Sequence, residues 1–376
     1  MELGIVTSVF GKYEISEAAR RIRKRGFRGV QFFPQIGGRM LEAEDFTPAL
    51  IREIRAAFER YDLRIYAVSG GHNIAGPTEE ARRRSVDAVK RFISLCPKLG
   101  AGLLVTESGT KHPAHNWTDH PDNYRPETWE SLVRTYRDLA AFAETRGVVL
   151  GVEPHFGKIV KVAADLRRLL DDVGAANLKV VLDPANSVTA ENAAAAAADL
   201  KEGFRLVGKD IVLAHAKDSQ IVDGKTRFVP AGTGILPYGL YLSLLKQYGY
   251  DRPLFLEYLD EEGLEETGEF LRNVNVPPFL RALAAGDRTL YEAVAAVQDI
   301  VHAEEGALEK KYRLLLSMTA DALQNHPAGA LACAREALAA GATRAQIAEA
   351  MRVVYAAGGL PMVVENIAVY QELIHD

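Results

Sequence analysis

From Leu3 to Tyr258, short β-rich runs alternate with longer amphipathic stretches, and this alternation constrains the fold more than any other feature of the chain. The strand candidates are Leu3–Ser8, Gly29–Phe33, Arg64–Ser69, Gly102–Glu107, Val148–Glu153, Lys179–Asp183, Ile211–Lys217 and Leu254–Tyr258. Between them lie helical patterns at Ser16–Arg25, Pro48–Tyr61, Thr78–Leu99, Glu127–Arg146, Val162–Val173 and Tyr238–Tyr248. Strands separated by helices of this length pair in parallel through βαβ units. Eight such units close most economically into a (β/α)₈ barrel filled by inward side chains. An open, doubly wound sheet is disfavoured, because no Gly-x-Gly-x-x-Gly follows the first run. The expected fold is an α/β (β/α)₈ barrel followed by a small all-α domain.

The second domain is expected because the pattern changes after Pro277-Pro278. From Leu283 to Asp376 it is helical throughout, and the breakers Pro327, Gly341 and Gly358-Gly359-Leu360-Pro361 divide it into four helices. The expected division is therefore 1–282 for the barrel and 283–376 for the all-α module. A net charge of −5 without a basic block disfavours nucleic-acid and membrane partners. Two cysteines, Cys96 and Cys333, exclude a disulfide framework and point to a reducing cytoplasm. The chain starts on a strand-like run with no charged-then-apolar leader, and the alanine run at Ala193–Ala198 is too short to span a bilayer.

In such a barrel, polar residues at the C-terminal ends of strands point into the active site. Four successive strands end on a possible metal ligand: Glu153 in Val152-Glu153-Pro154-His155, Asp183 in Leu182-Asp183-Pro184-Ala185-Asn186, His215 in His215-Ala216-Lys217-Asp218, and Glu257 in Leu256-Glu257-Tyr258. They stand 30, 32 and 42 residues apart, about one βα repeat each, so all four should arrive at one level. Three converging carboxylates would repel one another and suffer desolvation unless a cation joined them. One divalent metal answers this, and three oxygen donors with one nitrogen suit Mn²⁺ first, with Mg²⁺, Co²⁺ or Zn²⁺ as alternatives. His72, Glu107, His155, Asn186 and Lys217 are the expected substrate contacts, with Lys217 pointing inward two residues after His215. Lys12, Arg39, Lys158 and Arg227 fall in loops over the mouth, but no phosphate-cradling glycine loop is evident. The loop from Lys111 to His120 carries three histidines, and its proline and Trp117 favour a lid over a second metal site.

These motifs resemble the xylose isomerase-like superfamily of sugar phosphate isomerases and epimerases. Glu-Pro-His, Leu-Asp-Pro-x-Asn, His-x-Lys-Asp and Leu-Glu match its metal set, and Ala231-Gly232-Thr233-Gly234-Ile235 with Tyr248-Gly249-Tyr250 matches its loop before the last strand. The resemblance implies a small carbohydrate substrate, with Glu153 and Glu257 as both metal ligands and the two catalytic proton carriers of an isomerase or epimerase. A keto-sugar or inosose dehydratase or lyase is the alternative, since it starts with the same α-proton abstraction. A non-catalytic scaffold is a second alternative, which intact ligand positions disfavour. The related apurinic-site endonucleases need further histidines; Asn186 stands where their motif has one. The C-terminal part resembles carboxymuconolactone decarboxylase or alkylhydroperoxidase D-like helical domains. Their Cys-x-x-Cys-x-x-His falls here on Pro327, Ala330 and Cys333, so redox chemistry is not expected. What that resemblance implies instead is homo-oligomerisation through the C-terminal helices.

Overall fold

The computed structural model describes residues 1–276, 280, 282–283, 286–303 and 306–374. Pro277-Pro278 and Asp376 lie outside these residues. In chain order the strands are β1 (Leu3–Val6), β2 (Gly29–Phe32), β3 (Gln35–Ile36), β4 (Arg39–Met40), β5 (Arg64–Ser69), β6 (Leu103–Glu107), β7 (Val149–Glu153), β8 (Leu178–Leu182), β9 (Ile211–Ala216), β10 (Asp218–Val222), β11 (Lys225–Val229) and β12 (Leu254–Leu256). Eight of them close a barrel in the order β1-β12-β9-β8-β7-β6-β5-β2. Every barrel pairing is parallel, so all eight C-terminal ends open on one face. Each expected strand is present. The two extra hairpins lie outside the barrel: β3-β4 has two residues per strand, whereas β10-β11 has five per strand, as long as several barrel strands.

Helices α1 (Ile15–Lys24), α2 (Pro48–Arg60), α3 (Glu79–Leu99), α4 (Pro126–Glu144), α5 (Ala163–Val173), α6 (Ala196–Val207) and α7 (Tyr238–Gln247) connect the barrel strands, and α8 (Leu264–Asn273) follows the last one. Local chemistry sets their ends. Thr47 and Thr78 accept from the backbone N–H of Leu50 and Ala81, and Gly100 closes α3 in the left-handed region at φ 79°. The sequence reading left out α6 and α8. In α6 the alanines mask the amphipathic period, which is carried only by buried Leu200, Phe204 and Val207.

The core has two layers. Ile22, Ile54, Phe92, Leu139, Leu169 and Leu245 fill the space between helices and strands. Val6, Ala67, Leu103, Val105, Val181, Leu213 and Phe255 fill the barrel itself. The Phe255 ring lies 2.6 Å from where a Cβ on Gly4 would be, so the glycine on β1 makes room for the plug.

Contacts divide the chain into Met1–Asn275 and Val276–Asp376. The second unit contains helices Arg288–His302, Lys310–Leu323, Pro327–Ala339 and Arg344–Gly358, then the short Leu360–Glu365 and Ile367–Val369. Leu314, Met318, Ala330, Ala334, Ile347, Met351 and Val354 form its core. The stretch before Pro327, expected as one helix, is two, with Gly306 between them as the breaker that the sequence reading passed over, and the last segment is broken at Asn366 without a proline or glycine. No helix among the described residues is long and apolar enough to cross a membrane.

Candidate metal centre at the barrel mouth

Glu153 ends β7, Asp183 follows β8 by one residue, His215 is the fifth residue of β9, and Glu257 follows β12 by one residue. Parallel pairing of adjacent strands brings them to one level, and one ligand atom from each lies within 4.8 Å of all the others. His215 Nδ1 stands 3.2 Å from Glu153 Oε1, 3.9 Å from Asp183 Oδ2 and 4.0 Å from Glu257 Oε1. Asp183 and His215 are fully buried, and the two glutamates are partly exposed, by 13% for Glu153 and 19% for Glu257.

The chain itself supplies part of the counter-charge. Lys217 Nζ lies 2.8 Å from Asp183 Oδ2, and donates to Glu257 Oε1 at 2.7 Å and to Asn186 Oδ1 at 2.8 Å. Asn186 Nδ2 in turn donates to Glu153 Oε1 at 2.7 Å. Repulsion among the carboxylates therefore does not by itself demand a metal, which corrects the simplest form of the sequence argument. What remains is Asp183 Oδ2. It is buried, and among the described residues the only counter-charge within ion-pair distance besides His215 is the Lys217 ammonium at 2.8 Å, which also serves Glu257 and Asn186. A carboxylate oxygen with so shared a counter-charge, beside two more carboxylates and an imidazole nitrogen, fits a divalent cation, since a buried charged acceptor is costly to leave under-satisfied.

Burial raises the Asp183 carboxyl to about 7, against the pull of Lys217. Burial acts on Glu257 too, but the charges of Lys217 and His215 hold it well below the usual carboxylate range. Burial opposes protonation of His215, yet the charges of Glu257 and Glu153 lift it to about 9.

The other expected residues are placed as follows. Asn186 and Lys217 join the cluster. Glu107 pairs in register with Glu153 on the adjacent strand, and its carboxylate is held by Lys158 and raised by burial. Lys158, expected in a loop over the mouth, is only 1% exposed and lies 3.7 Å from the centre of the Trp117 ring. His155 is buried among Trp117, Phe156 and Phe228; its Nδ1 accepts from Gly157, and burial lowers it to about 3. His72 stands apart from the cluster. Its Nε2 faces Glu42 Oε2 at 3.3 Å and its Nδ1 the Gly70 carbonyl at 3.2 Å, beside the Phe92 ring.

In the loop after β6, His112 Nδ1 accepts from the backbone of Ala114 and His115, and His120 Nδ1 accepts from that of Asp122. These histidines cap their own loop, and no second ligand cluster occurs among the described residues. Trp117, 56% exposed, closes over Lys158 and His155, and a Cβ on Gly157 would collide with the Trp117 carbonyl.

Sequence reasoning missed three contributors. Gln31 crosses the barrel to His215, and its only signal was a polar residue inside an apolar strand. Phe228, on the unexpected hairpin, lies 4.4 Å from Lys217 Nζ. Tyr258, at φ 58°, packs 5.3 Å from Phe228.

Residues 19–274 match the family described as xylose isomerase-like TIM barrel, and residues 288–372 match the carboxymuconolactone decarboxylase family. No curated protein matches the chain. Among solved structures, 3-keto-D-glucoside 4-epimerase YcjR from E. coli is 19% identical with a TM-score of 0.56, covering 72% of this chain and 99% of that one. The probable 3-DHS dehydratase AsbF from Bacillus anthracis is 15% identical with a TM-score of 0.57, covering 73% and 99%. A xylose isomerase-like TIM barrel protein from Mycobacterium smegmatis in complex with magnesium is 16% identical with a TM-score of 0.55, covering 73% and 98%.

Proposed function

Since the chain belongs to the xylose isomerase-like TIM barrel family, we propose that it is a metal-dependent isomerase or epimerase of a small carbohydrate, working by removal of a proton α to a carbonyl. The observation that carries this reading is the convergence of Glu153, Asp183, His215 and Glu257 within 4.8 Å from four strand ends. These four residues would hold the ion, with Mn²⁺ the first candidate. Bound there, a divalent cation supplies Lewis-acid stabilisation for negative charge developing on a substrate oxygen.

The chain's own residues do the rest. Glu153 takes the α-proton and Glu257 returns one from the other side, giving an enediolate between the two transfers. Asn186 steadies Glu153 by a 2.7 Å hydrogen bond, and Lys217 steadies Glu257 at the same distance. Glu107, His155 and His72 are proposed substrate contacts, with Trp117, Phe156 and Phe228 shielding the reacting carbon from water.

A second reading is favoured by Lys217. An ammonium 2.7 Å from Glu257 can protonate a departing hydroxyl, which turns the same first step into dehydration. The fold neighbours include both an epimerase and a probable dehydratase.

For the C-terminal helices from Leu283 onward we propose self-association. Their one cysteine, Cys333, is pushed up to about 12 by burial and the Asp321 charge, which does not suit thiol chemistry. Two free cysteines and a net charge of −5 support a cytoplasmic protein acting on a small molecule rather than on nucleic acid or membrane.

The test is turnover of a panel of keto-sugars in D₂O by chelated and Mn²⁺-reloaded protein, read by NMR. Metal-dependent deuterium uptake at the α-carbon is expected, and the product decides between isomerisation and dehydration. Turnover without exchange would replace the two-base scheme with a hydride shift.

A further inference from the structure

We propose that Gln31 is a positioning residue that decides which nitrogen of His215 faces the metal position. The inference rests on the metal reading above for its functional meaning, but not for its geometry.

Gln31 sits on β2 and His215 on β9, with β1 and β12 between them round the barrel wall. The contact therefore crosses the barrel interior rather than following a neighbouring strand. Gln31 is 3% exposed, and both ends of its carboxamide are engaged. Nε2 donates to Ser69 Oγ at 2.9 Å, which turns Oε1 toward His215 Nε2 at 2.7 Å. A carbonyl oxygen only accepts, so His215 Nε2 must carry a hydrogen in this arrangement. Nδ1 is then the nitrogen directed at the three carboxylates, and once its own proton is displaced it is the one able to give a lone pair to a cation. The same contact fixes the rotation of the ring, because the imidazole is buried and pinned at both nitrogens. Outer partners of a ligating imidazole act in this way on tautomer and orientation, and their loss weakens metal binding about 10–100-fold.

A mere packing role makes different demands. A leucine fills nearly the same volume as Gln31 and would satisfy packing, but it cannot accept from Nε2. A glutamate keeps the acceptor, so it should keep the tautomer. Ser69 tests the relay one step further out, since removing its hydroxyl frees the carboxamide to turn over.

The experiment measures Mn²⁺ affinity by chelator competition for the full-length protein and its Gln31→Leu, Gln31→Glu and Ser69→Ala variants. ¹⁵N-histidine NMR of the metal-free forms runs in parallel at about pH 10, where His215, raised to about 9, is neutral and has a tautomer to read, with its signals assigned by their loss in His215→Gln. Gln31→Leu should bind Mn²⁺ about 10–100-fold more weakly and show a mixture of tautomers. Gln31→Glu should rescue both readouts, and Ser69→Ala should fall between. Wild-type affinity and an unchanged Nε2–H tautomer in Gln31→Leu would overturn the proposal. If Gln31→Leu does not fold, an unchanged affinity and tautomer in Ser69→Ala overturns it instead. If the wild type binds no divalent ion, the proposed function fails, and the NMR comparison still decides the role of Gln31.

Discussion

The Asp218 carboxylate occupies the space that a Cβ on Gly234 would need. Its Oδ1 accepts from the backbone N–H of Ser219 and Leu236, and its Oδ2 from those of Gly232 and Gly234. One buried side chain thus organises the Gly232-Thr233-Gly234 loop beside Lys217. Asp218→Asn replaces an acceptor with a donor facing backbone N–H groups, and Gly234→Ala forces the carboxylate aside. Each should cost about 2–4 kcal/mol, read as a fall of the melting temperature by roughly 5–10 °C. A change under 1 °C would remove the organising role.

Glu153→Gln and Glu257→Gln separate proton transfer from metal holding. Each should lower kcat by roughly 10²–10⁴-fold while leaving some Mn²⁺ binding, since a carboxamide oxygen remains. Glu257→Gln should still exchange the α-hydrogen through Glu153 without forming the epimer, and full product formation in either variant would remove that residue from the proton path.

The pH dependence of the metal-free protein follows from two raised groups. Asp183 at about 7 and His215 at about 9 both stand above their ordinary values of 3.8 and 6.5. A group raised on folding contributes stability that is complete below its ordinary value and is lost as pH rises through the folded one. Chelated protein should therefore lose stability steadily from pH 5 to 9, His215 alone accounting for up to about 3 kcal/mol. Glu257, held low, works in the opposite sense, and its contribution is lost only in acid. Mn²⁺ affinity should rise over the same window, because ligation displaces the His215 Nδ1 proton. Melting curves and chelator competition at each pH check both slopes.

Lys217 and a divalent ion seek the same oxygens, Asp183 Oδ2 and Glu257 Oε1. Lys217→Met should lower the melting temperature of chelated protein while raising Mn²⁺ affinity, because the built-in competitor is gone. A fall in both would show instead that Lys217 holds the carboxylates in position for the ion.

The C-terminal helices expose Leu316, Val353, Leu360 and Val364, apolar side chains suited to a second copy. A chain ending at residue 282 should give a smaller assembly by light scattering and still bind Mn²⁺. An unchanged number of subunits would place association elsewhere.

The sequence by itself determined the barrel and the convergence of the four candidate ligands, for one physical reason. In a parallel barrel each βα repeat returns the chain to the same mouth, so Glu153, Asp183, His215 and Glu257, spaced by about one repeat, have to meet. The tertiary structure decided everything that depends on closure. Gln31 reaches His215 only because β2 and β9 face each other across the interior, which no local pattern encodes. Lys217 lies across Asp183 and Glu257, and Lys158 is drawn under Trp117 onto Glu107, because burying an ammonium requires counter-charges, which here come from the ends of other strands. His72 turns toward Glu42 for the same reason: a loop side chain takes its direction from non-local packing, whereas a strand-end ligand takes its direction from the repeat.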